Sequence, residues 1–263
     1  MIKFFCTIGI DANITNLNLI HHFLNFYSRQ EIDEFHIILQ THHADMERVD
    51  EAQKILMEYG IGPRSIWSGE YTSSLVQKYV HRVMDSLGRD DWMILADLDE
   101  FHNFPIPAGR LLKQCDEQGI NCVTGRLLDR VAKGGKLKFI EKEAQIDSQF
   151  PHTSCLTNHI GGGNTTKIIA LKSPLVPGLG HHSLSKKRRK AKYLKTPIDV
   201  FHFKWDSVVI ERLAKRYEDY SRKNIRWSKE SLRLYEYLSE NKRILAADYS
   251  TDEGKPLICH GKI

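Results

Sequence analysis

Through the first hundred residues, short apolar runs alternate with segments whose apolar positions recur every three or four residues. Residues 3–10 form such a run and end in Asp11-Ala12-Asn13. Residues 17–27 then place Leu17, Ile20, Phe23, Leu24 and Tyr27 on one helical face. A second run, 35–39, is followed by Asp45 as a helix cap and by the stripe Val49, Ala52, Ile55, Leu56, Tyr59, which Gly60 and Gly62-Pro63 stop. Residues 64–67 predict a third strand. Ser74-Leu75-Val76-Gln77 has the spacing of a capping box, and Leu75, Tyr79, Val80, Val83, Met84 and Leu87 continue that helix to Gly88. A fourth apolar run, 92–96, follows. Strands that alternate with helices in this way predict a mostly parallel sheet with helices on both faces.

Beyond Gly109 the pattern loosens. A helix over 110–118 and strands over 120–124 and 136–140 are expected. Residues 149–180 are rich in turn formers and contain one apolar run, 167–171. Residues 198–205 alternate, placing His202 and Lys204 on one face and Phe201, Phe203 and Trp205 on the other. Ile210, Leu213, Ala214 and Tyr217 then mark an amphipathic helix, a second helix spans 228–241, and the polar tail from 248 has no period. No internal repeat is visible.

The fourth run ends abruptly in Asp97, Asp99 and Glu100. Read as the end of a strand, it aims Asp97 and Asp99 to the same face. Carboxylates held that close repel unless something positive lies between them, and hard oxygen donors suit Mg²⁺ or Mn²⁺ with a substrate diphosphate as a further ligand. Ligands of open α/β sheets bind beyond the carboxyl ends of the strands, which is where this cluster stands.

Asp97-Leu98-Asp99-Glu100-Phe101 followed by Pro105 resembles the Asp-x-Asp-Glu-Phe signature of family-2-like glycosyltransferases of the GT-A fold, a group similar to family 92. Gly125-Arg126-Leu127-Leu128-Asp129-Arg130 and His202-Phe203-Lys204-Trp205 resemble two further elements of that group, in the same order. The resemblance implies a GT-A catalytic domain over 1–205, with a nucleotide-sugar-binding half (1–105) and an acceptor and metal-completing half (106–205). Residues 206–263 would be a helical extension packed on it. It implies transfer of a sugar from a nucleoside diphosphate donor to a hydroxyl of a glycan or lipid-linked glycan. Mn²⁺ or Mg²⁺ would be held by Asp97, Asp99 and His202, with Lys204 on the diphosphate. Gly180-His181-His182 is a rival source of the histidine, although adjacent strand residues point oppositely and only one of the two could face the metal. By position in the fold, Thr7, Gly9, Asp11, Gln40 and Tyr71 would bind the nucleotide. Asp129 and Glu100 are the two candidates for the base that deprotonates the acceptor; Arg130 could instead hold Asp129 as an ion pair.

Composition adds limits. A chain of 263 residues can bury a full core, and no run of apolar residues is long enough to span a membrane. Five scattered cysteines with no Cys-x-x-Cys pair argue against a zinc ribbon or a disulfide framework and fit a reducing, cytoplasmic setting. Much of the net charge of +5 lies in 186–195, where a basic cluster is either a solvated loop or a contact for nucleic acid, anionic lipid at a membrane surface or a phosphorylated substrate. No specific nucleic-acid partner is expected, since no aromatic residues interleave with the basic ones. Gly161-Gly162-Gly163 lacks the Lys-Ser/Thr of a phosphate-binding loop and reads as a turn. The alternatives to glycosyl transfer are a metal-dependent phosphohydrolase or nucleotidyltransferase, and a non-catalytic polyanion-binding protein.

Overall fold

The computed structural model describes residues 1–11, 15–42, 46–185 and 190–250. In chain order the elements are β1 (Ile2–Ile10), α1 (Asn18–Tyr27), β2 (Glu34–Thr41), α2 (Met46–Glu58), β3 (Ser65–Ser68), α3 (Ser73–Asp85), β4 (Trp92–Leu95), β5 (Glu100–His102) and α4 (Ala108–Glu117). Then come β6 (Cys122–Val131), α5 (Ile146–Gln149), β7 (His152–Ser154), α6 (Leu156–His159), β8 (Thr166–Lys172), β9 (Ile198–His202), α7 (Val209–Arg222), α8 (Ser228–Asn241) and β10 (Tyr249–Ser250). The chain falls into two compact units, one made of 1–12, 20–126 and 166–200, the other of 13–19, 127–165 and 201–263.

Unit 1 is an α/β layer structure around a mostly parallel sheet. Its strands run in the order β6-β8-β4-β1-β2-β3, with β4, β1, β2 and β3 mutually parallel and β8 antiparallel to both of its neighbours. Alternation along β1 sends Phe4 to one face and Phe5 to the other. Phe4 meets Phe23 and Tyr27 of α1, the closer ring at 4.4 Å, while Phe5 joins Met93, Leu95 and the Val80, Val83 and Met84 stripe of α3. Both faces of the sheet are therefore covered, which is why its central strands are apolar on both sides. Each such side chain taken out of water contributes ~1.5–3 kcal/mol. Cys6, Cys115 and Cys122 are buried free thiols.

Unit 2 is built on a helical hairpin. Leu213 of α7 and Leu234 and Leu238 of α8 close over Trp205, Val131, Leu156 and Ile244. The last residues of β6 pair with β7, and β7 pairs with β10.

The periodic segments fold close to where their pattern puts them, with some local corrections. The strand expected to stop at 124 runs on to Val131 through Gly125. Among the described residues, 136–140 form single bridges, Lys136 with Arg243 and Lys138 with Asp206, in place of the expected strand. The strand over 198–205 ends at His202. Helix α3 is capped by Thr72, which lies in extended conformation and accepts from Leu75 N, so the cap sits two residues before the expected Ser74. Asp45 and residues 186–189 of the basic cluster lie outside the described residues.

Candidate active site

The carboxylate cluster of unit 1 is a turn. β4 ends at Leu95, and Glu100 N donates to Asp97 O across Leu98 and Asp99, so Asp97 and Asp99 do not sit on one face of a strand as expected. The turn is held from within. Lys167, the second residue of β8, lies 4 % exposed with its Nζ 2.9 Å from Asp97 Oδ2 and 2.9 Å from Glu100 Oε1. Glu100 Oε2 also accepts from Asp97 N. The expected positive charge between the carboxylates is thus supplied by the protein, although between Asp97 and Glu100.

Burial alone would pull the Lys167 ammonium down, but Asp97 and Glu100 outweigh it and raise its pKa. Burial would push Asp97 up; Lys167, then His181, hold it below the ordinary carboxylate range. Asp97 keeps 47 % of its side chain exposed and Asp99 is also partly open, whereas Glu100 is buried. A carboxylate bonded on both oxygens and shut from solvent braces the turn; that is the position Glu100 holds.

His181 and His182 divide as alternation suggested, one in and one out, although they stand in a turn. His182 Nδ1 meets Thr166 O at 2.7 Å, which ties the turn beside Lys167. His181 is buried, has a left-handed φ of 59°, and its Nδ1 has no hydrogen-bond partner among the described residues. Its imidazole is held neutral, with the pKa lowered to about 4 by burial and then by Lys167. Lys167 is the site residue the sequence reading passed over. Its one signal was a lysine opening an otherwise apolar run.

The remaining expected residues of unit 1 stand at the C-terminal ends of β1 to β3. Gly9 pairs with Gln40, and Gln40 with Trp67. Gln40 Nε2 donates to Gly69 O at 2.6 Å, and a Cβ on Gly9 would lie 3.2 Å from Gln40 Oε1 and 3.8 Å from the Tyr71 ring. Tyr71 stacks on Trp67, with ring centroids 5.8 Å apart and planes 21° from parallel, and remains 42 % exposed. Thr7 is buried, its Oγ1 without a partner among the described residues, and Asp11 follows β1 half-buried.

Asp129, His202 and Lys204 belong to unit 2. His202 Nδ1 lies 2.8 Å from Asp129 Oδ1, which also accepts from Thr157 Oγ1 at 2.8 Å; Asp129 Oδ2 accepts from Thr157 N at 2.7 Å. Burial would raise Asp129, but the bond from His202 leads the interactions that hold it low and ionised. An ionised carboxylate only accepts, so His202 donates from Nδ1 to Asp129. Arg130 points the other way, to Phe150 O and Asp147, and does not pair with Asp129. Lys204 is buried, its Nζ 5.2 Å from the centre of the Trp205 ring. Gly161 closes on Thr157 O, 2.6 Å from where its Cβ would stand, so the triple glycine is a packed corner of α6.

Among the described residues no three His, Cys, Asp or Glu side chains converge on one point. An all-protein metal cage is therefore not built there. A hexacoordinate ion that keeps waters and substrate phosphates needs only one or two carboxylates, and the partly exposed Asp97 and Asp99 fit that demand.

No protein-family model and no curated protein matches the chain. Among solved structures it is similar to a 4-diphosphocytidyl-2C-methyl-D-erythritol synthase, at 15% identity and a TM-score of 0.32 over 65% of this chain and 73% of that one. The synthase of Anaerococcus prevotii DSM 20548 gives 16% identity and a TM-score of 0.30 over 65% and 69%. Overlap at that level leaves the chemistry to be read from the residues themselves. Also among the described residues, no helix is long and apolar enough to cross a membrane.

Proposed function

We propose that the protein is a metal-dependent glycosyltransferase that moves a hexosyl group from a nucleoside diphosphate to a hydroxyl of a glycan or lipid-linked glycan. The Asp97–Glu100 turn carries the reading. It presents two partly exposed carboxylates at the end of a central strand, braced from behind by Lys167. On the neighbouring strand ends, Gly9, Gln40 and Tyr71 line an edge suited to a nucleoside. Asp97 and Asp99 would hold Mn²⁺ or Mg²⁺, whose charge offsets that building on the departing diphosphate. Lys167 keeps Asp97 ionised and fixed through Oδ2. In unit 2, Asp129 orients His202, whose Nε2, when neutral, would take the proton of the acceptor hydroxyl. Peripheral contact of 186–195 with anionic lipid would suit a lipid-linked acceptor.

A second reading is nucleotidyl transfer from a nucleoside triphosphate, whose phosphates an ion on Asp97 and Asp99 would hold equally well. Calorimetry with nucleoside diphosphates, their sugars and triphosphates, with and without Mn²⁺, on wild type and Asp99→Ala, separates the readings. Glycosyl transfer predicts metal-dependent binding of a diphosphate and its sugar, weakened at least about tenfold in the variant. Binding confined to a triphosphate, with pyrophosphate released, moves the assignment to nucleotidyl transfer. No nucleotide bound under any metal overturns both.

A further inference from the structure

The edge formed by Gly9, Gln40 and Tyr71 carries more than a general fit to a nucleoside. An amide side chain normally leaves its oxygen and nitrogen ends ambiguous, but here the surroundings decide. The group 2.6 Å from Gln40 is Gly69 O, a backbone acceptor, so the Gln40 nitrogen must face it and donate. The amide oxygen is then turned to the opposite side, toward Gly9. Gln40 is 4 % exposed and sits in the middle of register pairs on both sides, Gly9 in β1 and Trp67 in β3, so the side chain has little room to turn over. Among the described residues, no protein donor reaches Oε1.

Gly9 completes the arrangement by what it lacks. A side chain there would begin 3.2 Å from Gln40 Oε1 and 3.8 Å from Tyr71 Cδ2. The volume that a Cβ would fill is therefore bordered at once by a fixed hydrogen-bond acceptor and by an aromatic ring. That ring is itself stiffened, because Tyr71 lies nearly parallel on Trp67. A flat ligand set against Tyr71 over Gly9 meets a lone acceptor at its edge.

We infer that Gln40 selects the nucleobase, accepting a hydrogen bond at Oε1 from a ring N–H, and that the donor is consequently a nucleotide of uracil, thymine or guanine, not of cytosine or adenine. Uracil and thymine carry N3–H and guanine N1–H at the middle of the pairing edge, whereas cytosine N3 and adenine N1 are acceptors there. Cytosine or adenine in the same placement sets an acceptor against Oε1 and can offer its exocyclic amine only by shifting, and a site built to bond a polar group discriminates against a ligand that cannot supply it in place. The inference rests on the proposed nucleotide-dependent reading and names its substrate class.

The test is a calorimetric series with UDP, TDP, GDP, CDP and ADP in the presence of Mn²⁺, extended to 3-methyluridine and 1-methylguanosine diphosphates. Expected is binding of at least one of UDP, TDP and GDP about tenfold or more tighter than CDP and ADP. N-methylation of the favoured base at its ring nitrogen should abolish the advantage. The first three unmethylated diphosphates also separate a pyrimidine from a purine slot. In Gln40→Leu, the preference should collapse, the favoured diphosphate weakening and CDP no longer penalised, until the two bind alike. CDP or ADP binding as tightly as the others, or the methylated base binding like its parent, overturns the inference. The methylated ligands are read on the wild-type protein, so the outcome does not depend on the variant folding. Absence of all nucleotide binding sinks the functional reading; binding without base discrimination sinks only this inference.

Discussion

Replacing Lys167 by Met would leave the buried Glu100 carboxylate facing Asp97 without the ammonium that now lies 2.9 Å from each. Breaking a buried ion pair from one side costs ~3–5 kcal/mol, because the remaining charge is stranded. Lys167→Met should therefore lower the urea midpoint far more than Asp97→Asn, since Asp97 is 47 % exposed and its loss strands less. His102 sets a different dependence. It is wholly buried against Tyr27 and Phe104, neither ring nitrogen has a partner among the described residues, and burial followed by Lys167 lowers its pKa to about 3. The unfolded imidazole, with its ordinary value near 6.5, takes up a proton before the folded one does. His102 thus contributes stability above that value and loses it as pH falls toward 3. In His102→Phe the unfolding free energy should decline less steeply between pH 6.5 and the acid limit, as measured by urea titration at a series of pH values. At this scale the sequence located Asp97, Asp99 and Glu100 and their need for a cation. It could not show Lys167, because pairing across distant strands leaves no local spacing. It also could not show that Asp97 and Asp99 part company in a turn.

Elements were the most legible level, since an apolar stripe has to face the sheet wherever the sheet lies. Helix α8, expected over 228–241, has those bounds in the structure. Ends were harder, because caps are settled by single bonds. For α3 the capping bond runs from Leu75 N to Thr72 Oγ1 at 3.3 Å. Thr72→Ala should cost about 1 kcal/mol in unfolding free energy, and Ser74→Ala much less, which a paired denaturation experiment would resolve. Strand β6 shows why a glycine misleads. Gly125 interrupts the apolar pattern and reads as a stop, yet a Cβ there would stand 2.5 Å from Val200 Cγ2 and 2.7 Å from Ile169 Cγ2. The glycine is there for close approach, and the strand continues through it.

At the scale of the whole chain, the βαβ rhythm gave the parallel half of the sheet, and right-handed, short connections left few other arrangements. The antiparallel half was not readable, since nothing local marks β8 as the strand that enters between β4 and β6. Nor does either unit follow the chain as one stretch; each gathers three separate segments. The position of β8 bears on how the molecule is made. Lys167 follows Asp97 by 70 positions. On a ribosome adding ~5–20 residues per second, the acidic turn is exposed for several seconds before its partner lysine exists. The first half of the sheet can assemble early from local contacts, but its central gap stays open until β8 arrives from far along the chain. The acidic turn is thus synthesised well before the lysine that sets it in place.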